Sequence, residues 1–253
     1  MDATETGPAP ESTWQRRQRL AAASVHVYTA TGSVLALLMV HYSYKGEVET
    51  VLWLFLAAMV VDGTDGMLAR RFHVKRVMPS FDGALLDNIV DYMTYTLAPM
   101  ALLWANGYLP GGPIGGILAC APLLASCYQF CRSDAKTDDH FFLGFPSYWN
   151  ILAFYVIATG LGTTVTAWLI VALIILVFVP IKYVYPSRTE PMWQLTFLLT
   201  GLWFVMYAVI VAGLPDPNEL VVTASVVYLV YYTALSLYLT WYPPVKAKRA
   251  AAG

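Results

Sequence analysis

The chain has 253 residues, of which 58% are apolar and only 12% charged, about half the charged fraction of a soluble domain. That deficit leaves too little ionic surface for a water-facing fold, and three cysteines are too few for a secreted disulfide scaffold. The hydrophobicity also excludes a disordered chain.

In chain order, residues 1–13 (MDATETGPAPEST) are polar and predict a disordered N-terminus. The basic segment 14–20 (WQRRQRL) reads either as a short interfacial helix or as a flanking anchor. Eight stretches then approach the roughly 20 apolar residues that a bilayer-spanning helix needs. They lie at 21–42, 49–71, 81–106, 113–133, 146–161, 163–184, 192–213 and 219–242. Gly/Pro-rich pieces at 107–116, 159–162 and 213–218 read as turns. The expected fold is all-α: one polytopic membrane domain over residues 14–253.

An even number of spans puts both termini on one side. Every Lys and Arg except Lys45 then falls on that side, which the positive-inside rule makes cytoplasmic.

Asp62, Asp65, Asp87 and Asp91 sit inside the second and third spans, where an ionised carboxylate costs about 2.5–3.5 kcal/mol even on the lenient insertion scale. Asp82 is nearer the loop and can be solvated. Asp62 and Asp65 share one helix face, continued by Gly66 and Ala69, while Gly83, Asp87 and Asp91 share another. The connecting loop near 73–80 makes an antiparallel hairpin that brings both pairs to one depth. Four facing carboxylates need cations between them, and Mg²⁺ or Mn²⁺ with oxygen ligands suits them best. Gly63, Gly66 and Gly83 leave room for a bulky ligand, and Arg70 suits an anionic one. A proton or ion-coupling site in a choline or divalent-cation transporter is the competing reading, and simple helix packing a third.

The string Asp62-x-x-Asp65-Gly66-x-x-Ala69-Arg70, twelve residues, then Gly83-x-x-x-Asp87-x-x-x-Asp91 resembles the signature of the CDP-alcohol phosphotransferase family. The gap is longer than in most members. With eight spans and the run 142–150 (FLGFPSYWN), it is similar to the bacterial, choline-using branch. The resemblance implies that CDP-diacylglycerol and choline give phosphatidylcholine and CMP. Asp62, Asp65, Asp87 and Asp91 would hold two divalent ions, Mn²⁺ or Mg²⁺, with Asp91 also the general base. Gly63, Gly66, Ala69, Arg70 and Gly83 would line the CDP moiety. Serine, inositol phosphate or glycerol phosphate are the alternative acceptors. It is compatible with a homodimer and with a bacterial inner membrane, the site facing the cytoplasm. Membrane lipids, and no nucleic acid, are the expected surroundings.

A quaternary ammonium is recognised by aromatic faces. Tyr95, one turn from Asp91, and Tyr148 and Trp149 are the choline candidates. Arg132, Lys182 and Arg188, at cytoplasmic helix ends, are candidates for a lipid phosphate. Asp138, Asp139 and His140 read as a solvated loop, and Cys120, Cys127 and Cys131 as buried thiols.

Overall fold

A computed structural model describes residues 13–186 and 188–242. The polar stretch 1–12 and the basic residues Lys246, Lys248 and Arg249 lie outside the described residues. The chain is mostly helical. Helix α1 (Thr13–Tyr44) takes residues 14–20 as its first turns and, at 1.5 Å per residue, is about 48 Å long. A turn through Gly46 (φ 75°) returns the chain into α2 (Val48–Arg71). The short α3 (Val74–Val77) lies in the loop that leads to α4 (Gly83–Asp91). Asp82 caps α4: its carboxylate accepts from the backbone N–H groups of Ala84 and Leu85, each at 3.0 Å, as an N-cap should.

The α4 helix runs through a π-helical stretch (Tyr92–Leu97) into α5 (Ala98–Ala105), so the expected third span is one rod with a widened middle. There follow α6 (Pro113–Cys131), β1 (Phe141–Leu143), α7 (Trp149–Ala158), α8 (Thr163–Phe178), β2 (Lys182–Val184), α9 (Trp193–Ala212) and α10 (Glu219–Trp241). Five of these, α1, α2, α6, α9 and α10, are long and apolar enough to cross a membrane.

The stretches expected at 146–161 and 163–184 contract to helices of 10 and 16 residues. Pro180 removes a backbone donor and disfavours helix at Val179, so α8 stops at Phe178; α7 begins only at Trp149, after Ser147 at a positive φ of 61°. Instead, β1 and β2 pair antiparallel, Phe142 opposite Tyr183. This two-stranded ribbon is absent from the all-α expectation. Three residues per strand carry too little periodicity to be read from sequence.

The apolar pattern is that of a membrane protein. Leu124, Leu198, Val205, Val227 and Val230 are all exposed on outer faces. Lipid tails are as apolar as leucine, so helix association there rests on close packing and interhelical hydrogen bonds. Both are present. The short α7 is enclosed: Trp149, Ala153, Phe154 and Val156 are fully buried, and Phe154 stacks on Tyr207 of α9 at 3.9 Å between ring centres. Trp203 donates to the Tyr155 hydroxyl (2.9 Å), which donates to Ser225 (3.0 Å). Thr196 and Thr200 of α9 bond Tyr231 and Tyr228 of α10 at 2.9 and 2.8 Å. The three cysteines are free and exposed on α6, which corrects the expectation of buried thiols; a thiol is apolar enough to face lipid.

Candidate active site

The acidic residues reach one place because α2 and α4 both pack on α1 and present their carboxylates toward each other beside it. Carboxylate oxygens of Asp62, Asp87 and Asp91 lie within 4.8 Å of one another. Asp65 stands one turn along α2, buried, and its carboxylate accepts from the Thr29 hydroxyl of α1 at 2.8 Å. All four border a small cavity between α1, α2 and α4, closed by Thr29, Gly32, Val90 and Thr94. Gly32 is required for this closeness, since a Cβ there would run into Val90. Three carboxylates at such spacing repel unless positive charge lies among them, and oxygen-only donors suit a hard divalent ion. The donor set therefore fits a metal.

One positive group is already there. Lys136, from the loop after α6, donates to Asp87 at 3.3 Å. Burial lowers the affinity of its amine for a proton, but the neighbouring Asp87 and Asp91 raise it more, so its pKa sits above the usual lysine value.

The motif glycines divide. Gly63 faces open space, and the Arg70 guanidinium lies 3.5 Å from where a Gly66 Cβ would be. Ala69 is half-buried beside them, on the same face as Asp62 and Asp65. A ligand can approach the backbone there. Gly83 instead makes room for protein: a Cβ would sit 2.8 Å from His26 of α1, whose ring packs on Phe81 at 4.2 Å.

Among the choline candidates, Tyr95 lies in the π-helical stretch and its hydroxyl donates to Asp62 at 2.7 Å. Its ring is 6.0 Å from that of Tyr148. Tyr148 also meets Phe142 edge-on at 6.4 Å, and Phe142 stacks on Tyr185 at 4.7 Å. An aromatic row thus leads from β1 to the carboxylates. Trp149 is placed elsewhere, fully buried in the core with its indole N–H on Ser126 at 2.8 Å.

Of the phosphate candidates, Arg132 grips Asp134 with two bonds of 2.6 Å, and Lys182 pairs with Asp139 at 2.6 Å. The expected solvated loop is thus pinned to β2. Arg188 lies over the Tyr185 ring at 5.4 Å. Sequence reasoning passed over Thr29 and Lys136 as site residues. Each is remote in sequence from the aspartate it touches, and no spacing rule connects them.

No protein-family model matches the chain. Curated proteins do. The chain is 40% identical over 241 residues to the phosphatidylcholine synthase of Legionella pneumophila, covering 92% of this chain and 94% of that protein. It is 42% identical over 207 residues to the phosphatidylcholine synthase of Legionella bozemanae (79% and 95% covered). A third, from Borreliella burgdorferi, is 33% identical over 219 residues (86% and 93% covered). With relatives at this identity over nearly their full length, and a fold of long apolar helices around an acidic cluster, the chain belongs to the phosphatidylcholine synthase family, as a multi-pass membrane phosphatidyltransferase.

Proposed function

We propose that the protein transfers the phosphatidyl group of CDP-diacylglycerol to choline, releasing CMP. The observation that carries this reading is the cluster of Asp62, Asp87 and Asp91, set in a chain related throughout to proteins named for that product.

Asp62, Asp65, Asp87 and Asp91 would hold two divalent ions, Mg²⁺ or Mn²⁺. When bound, these supply charge neutralisation at the diphosphate and help orient the displacement. The remaining chemistry belongs to the chain. Asp91 takes the proton of the choline hydroxyl as its oxygen bonds to the phosphorus that carries diacylglycerol, and the bond from that phosphorus to the CMP oxygen breaks. Gly63, Gly66 and Ala69 leave the α2 backbone open to the CDP moiety, with Arg70 beside them. Gly83 contributes indirectly, by letting His26 close against α4. Tyr95 holds Asp62 while presenting its ring, with Tyr148, to the quaternary ammonium, which has no N–H to donate and is held by aromatic faces and nearby carboxylates. Arg188 is the preferred contact for a lipid phosphate, since Arg132 and Lys182 have acidic partners. The topology we favour has eight crossings, counting the α4–α5 rod, α7 and α8 with the five long helices, with both termini and the site on the cytoplasmic face of an inner membrane.

Purified protein given CDP-diacylglycerol, Mn²⁺ and choline should release CMP and form phosphatidylcholine. Release only with serine, inositol phosphate or glycerol phosphate would change the acceptor. No release with any small alcohol would refute the transferase reading.

A further inference from the structure

The loop between α6 and β1 carries one basic residue whose role differs from its neighbours'. Its backbone is folded tightly against β1. Leu143 N–H donates to the Ala135 carbonyl and Thr137 N–H to the Phe141 carbonyl, both at 2.9 Å. Phe141 N–H donates back to the Thr137 hydroxyl at 3.0 Å. Lys136 forms an antiparallel bridge to Phe142, and Thr189 bonds the His140 carbonyl at 2.7 Å. Arg132 and Lys182 are used up in holding this arrangement, through Asp134 and Asp139. Lys136 is not: its fixed backbone aims a long, half-exposed side chain at Asp87.

That contact conflicts with a metal-filled site. Divalent ions among the carboxylates would cancel the charge that attracts the ammonium and repel it. A diphosphate brought in by the nucleotide-lipid adds negative charge at the same place. Lysine is a compact point charge on a flexible stem, able to change partner without moving the loop.

We propose that Lys136 is a catalytic residue with two partners: Asp87 before metal enters, and the diphosphate of the nucleotide-lipid afterwards. It would then keep the carboxylates together in the metal-free protein and neutralise the leaving nucleotide in the loaded one. This rests on the transferase reading given above.

The two roles pull in opposite directions, which makes them testable by binding alone. Full-length wild-type protein, Lys136→Met, Lys136→Gln and Lys136→Arg in lipid nanodiscs are titrated first with Mn²⁺ alone, then with CDP-diacylglycerol in saturating Mn²⁺. Removing the ammonium should tighten Mn²⁺ binding about tenfold and weaken CDP-diacylglycerol binding about tenfold, the size of one charge-assisted hydrogen bond. Lys136→Arg should restore most of the lipid affinity. Unchanged affinities in the Met and Gln variants, or a loss of both together, would overturn the proposal while leaving the transferase reading intact. Wild-type protein that binds neither Mn²⁺ nor CDP-diacylglycerol would overturn that reading itself, and this proposal with it.

Discussion

Two regions meet at the carboxylate cluster, and they are built on opposite principles. The α2–α4 hairpin is local. Its aspartates stand three and four residues apart, and helical geometry alone puts each pair on one face. The loop 132–140 and the β1–β2 ribbon are non-local. Lys136 reaches Asp87 across 49 residues and Lys182 reaches Asp139 across 43. In the hairpin like charges are gathered and left needing a cation. In the loop beside the ribbon, Asp134 and Asp139 are each matched by a base. Surplus negative charge held in place marks the chemistry, whereas balanced charge marks the scaffold.

Substitutions can test that division. The largest effect is expected at Asp91, where Asp91→Asn should lower turnover by about a thousandfold, within the usual span for a lost general base, while CDP-diacylglycerol binding persists. CMP release and lipid binding measured on the same preparation check this. Next comes Asp87→Asn, which should raise the Mn²⁺ concentration for half-maximal activity by about a hundredfold or more, seen in a metal titration after chelation. Tyr95→Phe removes only the bond to Asp62 and should cost about tenfold in metal affinity, the low end for a group that orients a ligand. Equal losses for Asp87→Asn and Tyr95→Phe would mean that Tyr95 does more than orient Asp62.

The ribbon should respond weakly and through stability. Burial pushes the Asp139 carboxyl up, but the bonds from Lys182 and Thr137 outweigh it and hold its pKa below the usual aspartate value. A depressed pKa means that the pair stabilises the fold above the unfolded value of about 3.9. The contribution is lost as pH falls through the lower, folded value. Both groups are partly exposed, so the effect is about 0–1 kcal/mol. Asp139→Asn should therefore lower the melting temperature slightly at neutral pH, and the difference from wild type should vanish in acid. A large loss of turnover without a change in melting temperature would move Asp139 from scaffold to active site.

The same contrast explains what the sequence made legible. Asp62, Asp87 and Asp91 stood out because charge is scarce in an apolar chain, and the helical period placed them. The long helices followed from their length. Three features were hidden. The ribbon depends on Pro180 stopping α8 and on a pairing between segments about 40 residues apart. Tyr95 lies on the expected face, one turn from Asp91, but its hydroxyl bond to Asp62 joins residues 33 apart, which spacing along one helix does not reveal. Arg132 and Lys182 looked free for a phosphate because their acidic partners, Asp134 and Asp139, are recognised only once the loop is folded.

In the proposed reaction the four aspartates on the hairpin, with divalent metal, drive phosphatidyl transfer to choline. This role is tested most directly by measuring CMP release from CDP-diacylglycerol by the purified full-length protein, with and without choline, before and after chelation. Release should require both choline and a divalent ion, return on adding Mn²⁺ or Mg²⁺, and fall about a thousandfold in Asp91→Asn. CMP release that continues undiminished after exhaustive chelation, or in Asp91→Asn, would contradict it.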